Sequence, residues 1–154
     1  MTAHLEAGLA ALEEQFDAMV ALLRPLEADC LNWRPPVPET NSIAAMVTHT
    51  CGSIDGWLAR ALVESIDRNR DAEFETRSDA AALVALVERC RVETRRRIEA
   101  LQAVDPATIR SVRRLSRGQD QQVSVAWCLE HAIIHAGEHW GQIQLTKQLY
   151  AARR

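Results

Sequence analysis

Near its end the chain reads His131-Ala-Ile-Ile-His135-Ala-Gly-Glu-His139-Trp-Gly-Gln-Ile143. Apolar residues recur around this stretch at helical spacing, which predicts one long helix from a cap at Ser124 to about Leu149. Residues four apart lie on the same face of a helix. Two neutral imidazoles about 6 Å apart on one face can ligate the same transition metal. The stretch therefore predicts both a final helix and a metal site on it.

Two segments in the first half of the chain show the same helical periodicity. The first runs from Leu5 to Leu23, and the prolines that follow it end the helix. The second begins within Thr-Asn-Ser at 40–42, any of which can cap it, and continues to Ile66. Both carry apolar residues at three- and four-residue steps, so each is expected to bury one face.

A third periodic segment follows a cap at Ser78 or Asp79 and ends near Gln102. The charged residues 67–77 before it are predicted to form a loop. The polar, arginine-rich residues 108–122 after it lack helical periodicity and are predicted to form a long connection with some extended structure. With the final helix, the three segments predict a four-helix bundle around one core.

The composition supports an all-α, single-domain protein. Helix-favouring Ala, Leu, Arg and Glu are abundant, whereas the chain has only two phenylalanines and one tyrosine. Its 154 residues contain no Pro/Gly/Ser-rich linker that would divide them into two cores. We therefore expect one domain over residues 1–154.

Charge and cysteine usage exclude several classes of protein. The net charge of -3 and the pI near 6.0 do not suggest a nucleic-acid partner. No apolar stretch approaches the ~18 residues that suggest a membrane span. The four cysteines form no C-x-x-C pair and no signal segment opens the chain, so a reduced, cytoplasmic protein is expected.

A metal site on the final helix needs a ligand from another element, and His49 is the candidate. It lies about eight residues into the second helix, whereas His135 and His139 lie about eleven and fifteen residues into the fourth. If the helices alternate in direction, the three meet at similar height. His131 and His139 are about 12 Å apart along the axis, so one of the three is a spectator. Spacing permits either His131 with His135 or His135 with His139 as the ligand pair. The position of His49 along its helix slightly favours His131 with His135 if that helix starts at Ser42.

Two stretches resemble signatures of the DinB-like superfamily. The final helix carries His131-x3-His135-x3-His139-Trp-Gly-Gln-Ile, and the second carries Asn41-Ser-Ile-Ala-Ala-Met-Val-Thr-His49, preceded by Leu31-Asn-Trp-Arg-Pro35. The similarity extends from about Leu31 to Leu149. It implies a four-helix bundle and a divalent metal held by His49, His135 and His139.

The same resemblance implies frequent homodimers and, in some members, metal-dependent transfer of low-molecular-weight thiols to small molecules. Family members often carry a histidine and an arginine around the last ligand. This chain instead has Glu138 and Trp140 there. The substrate pocket is therefore expected to differ from that of its relatives.

Three imidazoles leave coordination positions open, which is typical of catalytic rather than closed structural sites. A zinc-like ion activates a coordinated thiol or water at neutral pH. We therefore expect a metal-dependent thiol transferase or hydrolase that acts on a small molecule, with no catalytic side chain assigned. Zinc and nickel are favoured, and iron or another transition metal also suits nitrogen ligands. The alternative is a non-catalytic metal-binding, stress-associated or dimerisation module.

Residues around the triad have weaker assignments. Gln142 lies one turn from His139 on the same face, so either a hydrogen bond to the ligand or an ordinary solvated role fits it. Glu138 points about 100° away from His139 around the helix, and a solvated role is favoured over that of a general base.

His131 is expected to be a core or interface residue. The loop arginines at 110–117 attract a carboxylate-bearing substrate or are simply solvated, and those at 89–97 are expected to form an exposed face.

Overall fold

The computed structural model describes residues 1–114 and 119–153, which form a helical bundle with one β-hairpin. The elements, in chain order, are α1 (Ala3–Leu23), α2 (Ala28–Asn32), α3 (Ile43–Leu62), α4 (Arg70–Phe74), α5 (Ala80–Leu101), β1 (Ile109–Arg114), β2 (Gln119–Ser124) and α6 (Val125–Ala152). The four long helices α1, α3, α5 and α6 confirm the predicted all-α, four-helix-bundle class. No described helix combines the length and the apolar composition that a membrane span requires.

The starts of the last three long helices are fixed by side-chain caps. Ser42, Asp79 and Ser124 each accept a hydrogen bond from the backbone N–H three residues later. Such a bond satisfies one of the free N–H groups at a helix start. The end of α3 was predicted at Ile66 and is wrong by one turn. Val63 adopts a left-handed backbone with φ 60°, which ends the helix at Leu62.

Helix α3 lies at the centre of the bundle, where it packs against α6 on one side and α5 on the other. Helix α1 packs against α5 and α6. Burial of each large apolar side chain stabilises such a core by about 1.5–3 kcal/mol. The fully buried ones include Leu12, Phe16, Ile43, Ile54, Leu58, Ile98, Leu101 and Leu129.

The two predicted connections have different outcomes. Residues 67–77 were predicted to be a loop, but they contain the short helix α4, capped by Asn69 through its bond from the Ala72 N–H. The extended structure expected in 108–122 is confirmed: β1 and β2 pair antiparallel from Ile109 with Ser124 to Arg114 with Gln119. Residues 115–118 of that connection lie outside the described part of the chain.

The expected exposed arginine face of α5 is wrong for Arg97, which is only 5% exposed. Its guanidinium binds Asp55 on α3, Glu64 after α3, and Glu93 one turn back on α5. A buried guanidinium requires such partners because an unpaired buried charge is costly. Arg97 thus joins α5 to α3 instead of facing solvent.

Candidate metal centre

The seam between α3 and α6 brings three histidine rings together. The ring centroid of His49 is 5.3 Å from that of His135 and 5.0 Å from that of His139, and the latter two are 4.4 Å apart. One nitrogen from each ring lies within 4.8 Å of the other two, so the cluster could hold a metal ion. The three residues are those that the resemblance implies as ligands, and their role as ligands stays a prediction.

His131 lies outside this cluster. Its ring stacks on Trp127 at 4.5 Å and packs edge-on against Trp57, also at 4.5 Å. Its centroid is 5.9 Å from that of His135. Of the two neighbouring pairs that spacing left open, the structure therefore places His135 and His139 with His49.

Burial favours the neutral form of the two clustered rings on α6. His49 is 4% exposed, while His135 and His139 are half-buried, so the cluster reaches the protein surface through α6. Burial, followed by the neighbouring histidines, lowers the pKa of His135 to about 3. Burial also lowers the pKa of His139. Neutral imidazoles keep the lone pair that a metal requires.

Glu73 is a functional candidate that sequence reasoning missed. Nδ1 of His49 donates to its Oε2 across 2.7 Å, which leaves Nε2 as the free ring nitrogen. Arg68 donates to the same carboxylate through Nε at 2.6 Å and Nη2 at 2.8 Å. Burial raises the pKa of Glu73, but the bonds from Arg68 and His49 outweigh it and the pKa is lowered. An ionised carboxylate therefore orients His49, as outer hydrogen bonds do for metal-bound histidines.

A glycine on α3 lets Glu73 come this close. A Cβ at Gly52 would collide with Oε1 of Glu73 and lie 3.2 Å from Nε of Arg68. From the same short helix, Phe74 places its ring 4.5 Å from that of His49. The sequence signal for this approach is the Gly52-x3-Gly56 spacing, which leaves a notch on one face of α3.

Gln142 holds the second ligand candidate. Nδ1 of His139 donates to Oε1 of Gln142 across 2.8 Å, so the one-turn spacing does produce a hydrogen bond. Glu138 is exposed on α6, as its predicted solvated role requires. In the hairpin, Arg110 donates to the backbone carbonyl of Ala61 at the end of α3. The predicted roles of Arg113, Arg114 and Arg117 concern side chains outside the described part of the chain.

The sequence profile of the DinB superfamily matches residues 11–143, which is most of the chain. The chain belongs to the DinB superfamily. No curated protein matches it.

Two solved structures show the same bundle. A conserved protein from Enterococcus faecalis aligns with a TM-score of 0.76 at 14% identity, covering 99% of each chain. A DinB-like protein from Bacillus cereus aligns with a TM-score of 0.70 at 16% identity, covering 95% of this chain and 92% of that one. At these identities the likeness shows a shared fold.

The donor set fits a divalent transition metal. Two of the three imidazoles have Nδ1 bound to an acceptor, the geometry that fixes which nitrogen faces an ion. The third, His135, has a buried Nδ1 with no hydrogen-bond partner among the described residues. A buried nitrogen without a partner is costly in a purely structural role. These features suit a site whose remaining partner is a metal.

Proposed function

We propose that this DinB-superfamily protein is a metal-dependent enzyme that transfers a thiol to a small electrophilic molecule, with hydrolysis as the variant reaction. Zinc or nickel is the proposed ion, held by His49, His135 and His139. The observation that carries the proposal is the convergence of three imidazoles from two helices at a half-buried face of the bundle. Three protein ligands leave room for a substrate atom.

The protein side chains supply geometry and charge. Glu73 and Gln142 hold His49 and His139 in the tautomers that present Nε2 to the ion. Arg68 keeps Glu73 ionised and fixed. A bound divalent cation lowers the pKa of a coordinating thiol or water so that it is a nucleophile at neutral pH.

The open side of the cluster supports catalysis over a purely structural role. His135 and His139 are half-buried, whereas a closed structural site surrounds its ion with four protein ligands. We propose a low-molecular-weight thiol as the small-molecule partner, because a soft sulfur donor suits both zinc and nickel. The homodimer implied by the resemblance stays a prediction.

Elemental analysis of protein purified without a histidine tag tests the metal. The expected result is about one equivalent of zinc or nickel per chain. Protein that contains no transition metal, and binds none on titration, would contradict the proposal. Titration with cobalt is a useful second measurement because its visible spectrum reports nitrogen ligation.

Thiol chemistry is tested on the cobalt-substituted protein. Addition of a coordinating thiol should change the visible spectrum. The same thiol with an electrophilic acceptor should give a thioether, with the acceptor's leaving group released and the thiol proton passed to solvent. If no thiol changes the spectrum, transfer is excluded and hydrolysis remains to be assayed with ester and amide substrates.

A further inference from the structure

A second polar feature lies beside the histidine cluster, further along α3. Arg60 is half-buried at the C-terminal end of that helix, with its guanidinium 5.0 Å from the ring of Trp57. A Cβ at Gly56 would lie 2.9 Å from Nη1 of Arg60 and 3.0 Å from Nη1 of Arg68. The two Nη1 atoms are therefore no more than about 6 Å apart, over the glycine notch.

The charges of these two guanidinium groups are not balanced equally. Arg68 uses Nε and Nη2 to bind Glu73, which leaves its Nη1 directed over Gly56. Arg60 makes no ion pair with any described carboxylate. Burial, and then the charge of Arg68, lowers the pKa of Arg60. Two cations thus converge over Gly56, and of the two only Arg68 is paired with a described carboxylate.

Two other partly buried arginines of this protein, Arg91 and Arg97, each bind three carboxylates. Arg91 binds Glu13, Asp17 and Glu88, and Arg97 binds Asp55, Glu64 and Glu93. Arg60, in contrast, has the ring of Trp57 and the like charge of Arg68 as its neighbours. An excess cation held beside another cation is the arrangement that binds an anion.

We propose that Arg60 and Nη1 of Arg68 form a subsite for an oxyanion, a carboxylate or phosphate group carried by the substrate. Gly56 is seven residues from His49, which places the subsite about 10 Å along α3 from the histidine cluster. Trp57 and His131 lie between the two, since His131 contacts Trp57 at 4.5 Å and His135 at 5.9 Å. The inference rests on the proposed function in one respect: the subsite would bind the anionic group at the end of the substrate thiol remote from its sulfur.

A matched pair of thiols tests the subsite. The probes are 6-mercaptohexanoate and 6-mercaptohexanol, which differ only in the charge at the end remote from sulfur. The carboxylate should bind the cobalt-substituted protein at least about 10-fold more tightly, because hydrogen bonds to charged groups are the stronger class. In Arg60→Gln this preference should disappear, and in Arg60→Lys part of it should remain.

The matched control is Arg89→Gln, which removes the same charge from an exposed position on α5. It should keep the full preference for the carboxylate. Equal affinities for the two thiols in the unmodified protein, or a preference that survives in Arg60→Gln, would overturn the subsite. Thermal unfolding of each variant checks that the bundle remains folded.

A metal-free measurement separates failure of the subsite from failure of the proposed function. Inorganic phosphate is titrated calorimetrically into chelator-treated protein. Binding by the unmodified protein and Arg89→Gln, but not by Arg60→Gln, supports the subsite even if neither thiol changes the cobalt spectrum. Absent phosphate binding, or equal binding in Arg60→Gln, counts against the subsite whatever the thiols do.

Discussion

Helix α3 carries a polar network on each of two sides, and the two networks are completed differently. Toward α5, Asp55 meets Arg97, whose Nε and Nη2 also bind Glu64 at 2.8 Å and Glu93 at 3.1 Å. Toward α6 and α4, His49 meets Glu73 and Arg68, while the buried Nδ1 of His135 keeps no described partner. In the network toward α5, which we call the closed network, the buried guanidinium of Arg97 has carboxylate partners. In the network toward α6 and α4, which we call the open network, Nδ1 of His135 has no described hydrogen-bond partner.

The difference leads us to expect that the network toward α5 mainly stabilises the fold and that the network toward α6 and α4 binds a metal ion. A completed network joins two helices and resists removal of any member. A buried nitrogen without a partner instead costs about 1–3 kcal/mol, so its retention is better explained by a ligand than by stability. Substitutions on the two sides of α3 should therefore affect different measurements.

The largest effect is expected at the open network. His135→Ala should weaken zinc or nickel binding about 100- to 1,000-fold, or about 3–4 kcal/mol, because one of three ligands is lost. The free energy of unfolding of the metal-free protein should change by less than about 1 kcal/mol. Competition with a chromophoric chelator measures the first and urea unfolding the second.

His131→Ala is the matched control, one turn earlier on the same helix. Its ring stacks on Trp127 outside the cluster, so metal affinity should stay within a few-fold of the unmodified protein. If His131→Ala loses the metal and His135→Ala keeps it, the assignment of the ligand pair is wrong.

The closed network should show the opposite pattern. Arg97→Ala should lower the free energy of unfolding by about 2–3 kcal/mol, because the packed stem is lost and three carboxylates lose their shared cation. Metal affinity should be unchanged. Arg95→Ala is the control, because its side chain is 56% exposed and a surface ion pair contributes about 0–1 kcal/mol. Equal destabilisation by the two variants would show that Arg97 is not the joining residue.

Local features of the sequence predicted most of the architecture. The caps at Ser42, Asp79 and Ser124 and the histidine spacing on α6 each depend on residues within one or two turns. The choice between the two histidine pairs depends instead on how α3 and α6 are placed along each other. Relative height is a tertiary quantity, and the structure groups His135 and His139 with His49 instead of the pair His131 and His135 that depth slightly favoured.

Two misses have different origins. Helix α4 has only five residues and no apolar period of its own, so its place is decided by the contacts of Glu73 and Phe74 with α3. Arg97 was hidden among five arginines. It occupies a buried face of α5 at three- and four-residue steps, a pattern that was present in the sequence: Leu83, Val87, Cys90, Thr94, Arg97 and Leu101.

A smaller effect on metal affinity is expected at Glu73, which bonds to His49 on the side away from the proposed ion. Glu73→Gln keeps the shape of the side chain but removes the charge that holds His49 and Arg68. Metal affinity should fall about 10- to 100-fold, the usual consequence of losing an outer carboxylate. Glu75→Gln is the control two residues away, since its side chain is 81% exposed. An unchanged affinity in Glu73→Gln would reduce Glu73 to a fold-stabilising role.

The smallest effect is expected at Gln142. Gln142→Ala removes a neutral acceptor from Nδ1 of His139, so metal affinity should fall about 10-fold or less. Gln144→Ala, also exposed on α6, should leave it unchanged. Because a charged partner fixes a ring more strongly than a neutral one, the loss should be smaller than in Glu73→Gln. The reverse order would mean that the metal depends more on His139 than on His49, and that α6 rather than α3 determines its affinity.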